Sequence, residues 1–337
     1  MHEARLYDKI EDQRVRCRLC AHRCVIKPGQ RGICTVRENR EGTLYSLVYA
    51  QLISQAVDPI EKKPLFHFYP GSRAFSIATV GCNFRCLFCQ NADISQMPRD
   101  QQRILGQEVP AAAVVEAARQ RHCRSIAYTY TEPTVFFEYT YDVSVLARQA
   151  GMANVYVTNG YMTPEMLEAY HPYLDAANVD LKSFRDDFYR RLCGARLQPV
   201  LDALKFMKAQ GIWLEVTTLV IPGYNDDPVE LRELAHWLVE ELGPETPWHV
   251  SRFHPTYRLT DAPPTPAATL QRAQDIGREA GLHYVYIGNL PGLHGEDTLC
   301  PSCGRMVISR YGFMVGERNL REGACVYCGA KIHGVGM

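Results

Sequence analysis

The stretch Phe75-Ser76-Ile77-Ala78-Thr79-Val80-Gly81-Cys82-Asn83-Phe84-Arg85-Cys86-Leu87-Phe88-Cys89 decides how this chain folds. Its first half is apolar, rich in β-branched residues and stopped by Gly81, which is a strand signature. Its second half spaces three cysteines as C-x3-C-x2-C, with no fourth cysteine close behind. An ordinary electron-transfer cluster takes four thiolates. Three thiolates leave one iron of a four-iron core open, and an open metal position is where a substrate or cosubstrate binds. A structural zinc ion prefers four protein ligands, so this triplet suits zinc poorly.

Working outward, short apolar runs alternate with amphipathic ones between Ala74 and Tyr286. Strands are expected at Phe75–Val80, Ser125–Tyr128, Asn154–Val157, Ala176–Leu181, Trp213–Leu219 and His249–Phe253. Helices are expected at Val109–Arg121, from Thr134 onward, at Leu201–Gln210, at Pro228–Leu242 and at Ala267–Ala280. Asn225, Asp226 and Asp227 are capping candidates, and Gly211 and Gly281 are stops. Strand–helix alternation implies parallel strands with right-handed crossovers. Both an open doubly wound sheet and a partial (β/α)6 TIM-like barrel satisfy that pattern. The cysteine loop just past the end of the first strand favours the barrel, whose sites lie at strand C-termini.

The triplet, with Phe88 as the aromatic before the last cysteine, resembles the C-x3-C-x-aromatic-C signature of the radical S-adenosylmethionine (SAM) superfamily. That resemblance implies a partial barrel and a [4Fe-4S] cluster on Cys82, Cys86 and Cys89, with SAM chelating the open iron. It also implies an electron passed into the sulfonium to give a 5′-deoxyadenosyl radical. Over residues 50–290 the chain is similar to the glycyl-radical-enzyme activases, of which pyruvate formate-lyase activase is the type. The match places Phe88 against the adenine and gives SAM contacts to Asn91, to Glu132 of Thr129-Tyr130-Thr131-Glu132-Pro133, to Asp180 and Lys182, and to His254. Asp180 and Lys182, two apart at a strand end, also share a face on geometry alone. Two positions depart from the activases. Val157 stands where they carry an aspartate, and Thr217 where the type activase has a SAM-contacting arginine. Two glycines before the glutamate are replaced by Tyr130 and Thr131.

Two further cysteine groups flank the barrel. Cys300-x2-Cys303-Gly304 and Cys325-x2-Cys328-Gly329 are paired knuckles that suit one tetrahedral zinc or a rubredoxin-like iron. A module this small needs such a staple, and Met306–Ser309 with Phe313–Val315 reads as its hairpin. At the other end, Cys17-x2-Cys20-x3-Cys24-x9-Cys34 supplies four thiolates for a second metal, with zinc and an iron–sulfur cluster both open. Cys123 and Cys193 fall outside every group and read as buried thiols. The expected domains are an N-terminal four-cysteine metal-binding segment (1–50), the partial barrel (51–290) and a C-terminal zinc-ribbon or rubredoxin-like module (291–337). Arg18-Leu19-Cys20, Asp58 to Pro64, Tyr130 to Pro133, Tyr286 to Asn289 and the knuckles together resemble the radical SAM enzyme of the AmmeMemoRadiSam system.

Composition narrows the classes. Thirty-seven basic residues balance thirty-seven acidic ones, so no nucleic-acid partner is expected. The first sixteen residues are densely charged and no apolar run has the length of a span, so neither a signal peptide nor a membrane role is expected, and the reading is cytoplasmic. Clustered C-x2-C pairs then read as metal ligands rather than disulfides. The expected function is a radical SAM oxidoreductase abstracting hydrogen from a protein or small molecule, with flavodoxin or ferredoxin as electron donor. Substrate would enter at the strand C-terminal mouth, near the terminal modules. The competing readings are a glycyl-radical-enzyme activase and a catalytically idle zinc-binding interaction protein.

Overall fold

A computed structural model describes residues 1–290 and 295–337. The boundary expected between 290 and 291 adjoins residues 291–294, outside the described residues. Eight strands form the central sheet: β1 (Ser54–Pro59), β2 (Arg73–Ala78), β3 (Ser125–Tyr128), β4 (Ala153–Thr158), β5 (Ala176–Asp180), β6 (Trp213–Val220), β7 (Trp248–Arg252) and β8 (Val285–Gly288). Their spatial order is the chain order. Strands β2 to β8 are parallel, and β1 lies antiparallel on the β2 edge. Two strands were not expected. Ser54–Pro59 carries no clean alternation, and Val285–Gly288 is a four-residue run with no helix after it.

The crossover helices are α1 (Ala111–Gln120), α2 (Phe137–Gln149), α3 (Pro164–Tyr170), α4 (Gln198–Ala209), α5 (Pro228–Trp237) and α6 (Ala267–Glu279). Helix α3, also unforeseen, starts where Thr163 Oγ1 accepts from Met166 N–H at 3.2 Å. Of the three capping candidates before α5, Asp227 takes the role through Val229 N–H (2.8 Å). Asn225 instead ties two strand ends, donating to Lys182 O (2.6 Å) and Leu219 O (2.9 Å).

Residues 60–72 link the antiparallel β1 to β2, so they cross the N-terminal ends of the parallel strands. Ile60, Leu65 and Phe68 pack there against Ala74, Ala127, Val155 and Ala176. The amides of Phe66 and His67 donate to the Glu215 carboxylate (2.9 and 2.7 Å), and Asn178 Nδ2 donates to Pro64 O (2.8 Å). The C-terminal module covers this plug. Its strands (Thr298–Leu299, Met306–Tyr311, Met314–Arg318) bring Val307, with Ile332, onto Phe66, Tyr284 and Tyr286, and Arg310 donates to Phe66 O at 2.7 Å. The C-terminal module therefore closes the end of the barrel opposite the cysteine loop. The expectation that both terminal modules flank the mouth holds for the N-terminal one alone.

His67 is the bolt of this closure. Its Nδ1 donates to His333 O (2.6 Å), and Tyr286 Oη donates to Nε2 (2.5 Å), the tautomer following from the carbonyl. Burial lowers its pKa to about 4, against the pull of Glu215. The unfolded imidazole, near pH 6.5, binds a proton that the folded one rejects. Stability is therefore full above pH 6.5 and lost as pH falls toward 4, by about 3 kcal/mol. Melting scans across that window are expected to show the slope, and His67→Gln to flatten it.

Candidate functional site

The cysteine loop leaves the C-terminal end of β2 through Gly81, held at φ +102°. A Cβ there would stand 2.6 Å from Val36 Cγ1, so only glycine lets the N-terminal module approach. The loop is then pinned from several elements. Arg85 N–H donates to Cys193 O (2.8 Å) and Leu87 N–H to Leu192 O (2.9 Å). His22 Nε2 donates to Asn83 O (2.8 Å), and Asn159 Nδ2 to Asn83 Oδ1 (2.8 Å).

Each thiol of the triplet has polar company. Cys82 Sγ accepts from Phe84 N–H at 3.3 Å and lies 3.9 Å from Asn159 Nδ2. Cys89 Sγ lies 3.2 Å from Ser95 Oγ. Cys193, with nearby Lys182, holds the pKa of Cys86 down against burial. Burial pushes Cys82 and Cys89 up. Three soft thiols ringed by N–H and O–H donors at strand C-termini suit an anionic iron–sulfur cluster.

The remaining sequence-named residues divide by position. Asn91 Nδ2 donates to Tyr130 O (2.8 Å), joining the cysteine loop to the segment after β3. Glu132 is buried. Its Oε1 accepts from Thr134 N–H (3.0 Å), Thr134 Oγ1 (2.6 Å) and Thr158 Oγ1 (2.7 Å), and its Oε2 from Asn159 N–H (2.8 Å). Glu132 thus caps the turn of Pro133–Phe136 and also braces the end of β4. Acceptor capacity is left on Oε2. Asp180 and Lys182 pair at 2.9 Å as their spacing implies, and Lys182 Nζ lies 5.8 Å from the Phe88 ring centroid. Burial alone would lower Lys182, but Asp180 and the thiols Cys86 and Cys193 outweigh it and raise its pKa well above the usual range. Phe88 is buried against Phe188, with ring centroids 5.7 Å apart. His254 is exposed just beyond β7. Thr217, at the position of the activase arginine, donates to Asn178 Oδ1 (2.9 Å).

Sequence reading missed Asn83, Ser95 and Cys193. Their links to the loop run through contacts up to more than a hundred residues apart, and no spacing signals such pairs.

Comparison with known proteins agrees with this geometry. Residues 76–235 match the Radical SAM superfamily. The chain is 51% identical to the uncharacterized protein MJ0808 of Methanocaldococcus jannaschii, over 98% of this chain and 99% of that one. The chain belongs to the radical SAM superfamily. It is also 23% identical to the pyruvate formate-lyase 1-activating enzyme of Escherichia coli, over 63% of this chain and 91% of that enzyme. A radical SAM methyltransferase from Sphaerobacter thermophilus shares the fold at TM-score 0.51 and 16% identity, over 71% of each chain. Streptococcus suis SuiB, solved with S-adenosylmethionine, does so at TM-score 0.51 and 14% identity, over 70% of this chain and 53% of that one. Membership implies catalysis with SAM and a [4Fe-4S] cluster.

The outer cysteine groups differ from each other. Cys300, Cys303, Cys325 and Cys328 place all four sulfurs within 4.8 Å, with Cys300–Cys328 at 3.6 Å and Cys303–Cys325 at 3.8 Å. Four sulfurs about 2.3 Å from one tetrahedral ion stand about 3.8 Å apart, so the group suits a single ion. Gly304 and Gly329 follow at φ +71° and +75°, returning N–H groups to the Cys300 and Cys325 carbonyls (2.9 and 2.8 Å). Cys17, Cys20, Cys24 and Cys34 instead line a partly open, apolar-walled cavity together with Leu19, Ile26, Arg37 and Val135. Among the described residues, no helix is long and apolar enough to cross a membrane.

Proposed function

We propose that this chain is a radical SAM oxidoreductase that starts hydrogen abstraction from a substrate held at the C-terminal mouth of its barrel. The observation that carries the reading is the three-thiol loop at the end of β2, closed in by donors from β4 and from the segment after β5. Cys82, Cys86 and Cys89 would hold the [4Fe-4S] cluster. Asn91, Glu132, Asp180 and Lys182, from the strand ends around the mouth, would hold SAM, with Phe88 beside it and His254 at the rim. When bound, such a cluster supplies one electron to the sulfonium of SAM. The chain's own part is to fix the cosubstrate, to offer a carboxylate to its ammonium group and to keep water from the reacting carbon. A low-potential one-electron donor of the flavodoxin or ferredoxin class would recharge the site. The features Arg18-Leu19-Cys20, Asp58 to Pro64, Tyr130 to Pro133 and Tyr286 to Asn289, with the terminal knuckles, support the AmmeMemoRadiSam branch.

The test is anaerobic reconstitution followed by dithionite reduction with SAM. Release of 5′-deoxyadenosine and methionine is expected. Their absence from protein whose cluster is intact would leave an idle metal-bound scaffold. Similarity across most of the E. coli activating enzyme supports a second reading, activation of a glycyl radical partner, which an EPR glycyl doublet on that partner would establish. Val157 and Thr217 speak against it.

The C-terminal knuckles would hold zinc, or iron without sulfide. Cys325→Ser is expected to lower bound metal by one ion per chain and to expose the hairpin to protease, because the metal is most of that module's folding energy. Metal analysis with limited proteolysis checks this.

A further inference from the structure

The N-terminal thiols are not grouped as the C-terminal ones are. Whereas the C-terminal sulfurs have closed to single-ion spacing, Cys17, Cys20, Cys24 and Cys34 form no such group among the described residues. They face a common cavity instead, walled by Leu19, Ile26 and Val135. Ile33 N–H donates to Cys24 Sγ at 3.5 Å. N–H groups aimed at sulfur favour the thiolate and are the usual surroundings of a bound cluster.

A second, independent observation comes from Arg37, which is 2% exposed and lines the same cavity. Its Nη2 pairs with the Glu138 carboxylate, while Nε and Nη1 have no partner although both are buried. An unmet buried guanidinium donor is costly, and the cost vanishes if an acceptor fills the space it faces. A polynuclear cluster brings sulfide acceptors into the cavity and leaves the thiolates wider apart than a zinc ion would.

We infer that Cys17, Cys20, Cys24 and Cys34 bind a second iron–sulfur cluster rather than zinc, with Arg37 donating to its sulfurs. The site adjoins the catalytic loop. Cys20 is two residues from His22, whose imidazole donates to the carbonyl of Asn83, the neighbour of Cys82.

The experiment uses the Cys82→Ala/Cys86→Ala/Cys89→Ala chain, so its outcome does not depend on the function proposed above. After anaerobic reconstitution with iron and sulfide, about four irons and four acid-labile sulfides per chain are expected. A reducible EPR signal should accompany them and disappear when Cys17→Ala and Cys34→Ala are added. Zinc without labile sulfide, or sulfide unchanged by those two substitutions, overturns the inference. If the triple variant does not fold, Cys34→Ala in the otherwise native chain gives the same answer, because iron and sulfide should fall by about half. Arg37→Gln/Glu138→Gln, which keeps the buried pair neutral, should make that cluster's reduction potential more negative. An unmoved potential removes Arg37 from the site.

Discussion

Cys86→Ala is expected to lose its cluster's share of the visible absorption and of the iron, about half of each, and all release of 5′-deoxyadenosine. The loss of that one cluster should be complete rather than graded, because a four-iron core on two thiolates has no stable seat in a loop built for three. Cys193→Ala should keep all three properties. The contrast matters because Cys193 acts on the Cys86 thiol and is itself a buried thiol. If Cys193→Ala folds yet loses the cluster, the core is capped by four thiolates. The open iron position, on which SAM cleavage depends, would then not exist. If Cys86→Ala keeps the full absorption and iron of the native chain, Cys86 is not a ligand. Visible spectra, iron analysis and chromatography of the SAM products decide among these outcomes.

The site could be read from the sequence where the signal is local. C-x3-C-x2-C spacing and Asp180-x-Lys182 each encode their geometry within a few residues, and the pair does form. Strand–helix alternation placed six of the seven parallel strands for the same reason. What escaped the sequence is assembled across distance. Strand β1 pairs with β2 through residues with no apolar period, so its place depends on Asp58, which meets Lys63 (2.7 Å) and Ser76 (2.7 Å) as well as Tyr130 inside the barrel. The seating of the C-terminal module under the barrel depends on Glu215 collecting the Phe66 and His67 amides, a contact spanning about 150 residues. Glu132 shows the limit most clearly. Sequence reading offered it as a ligand for SAM, and the structure shows it capping the Pro133–Phe136 turn while leaving an oxygen lone pair for a ligand.

Glu132→Gln separates those roles. Burial raises the pKa of this carboxyl, and the Asn159 amide and the Thr134 and Thr158 hydroxyls work against that rise. In the glutamine variant one oxygen can still accept from the threonines, but the amide –NH2 then faces Asn159 N–H, donor against donor. That buried clash should cost about 1–3 kcal/mol of stability. If Glu132 also receives the SAM ammonium group, loss of the charge removes a further ionic hydrogen bond of about 1.5–3 kcal/mol. SAM affinity should then fall roughly 10- to 150-fold. Glu132→Asp keeps the charge on a shorter arm and should recover part of the affinity while recovering little of the stability. Calorimetric SAM titration beside thermal melts reads both effects. A variant that melts earlier yet binds SAM with native affinity would make Glu132 a brace for the β4 end and nothing more, and the ammonium would then need another acceptor among the strand ends.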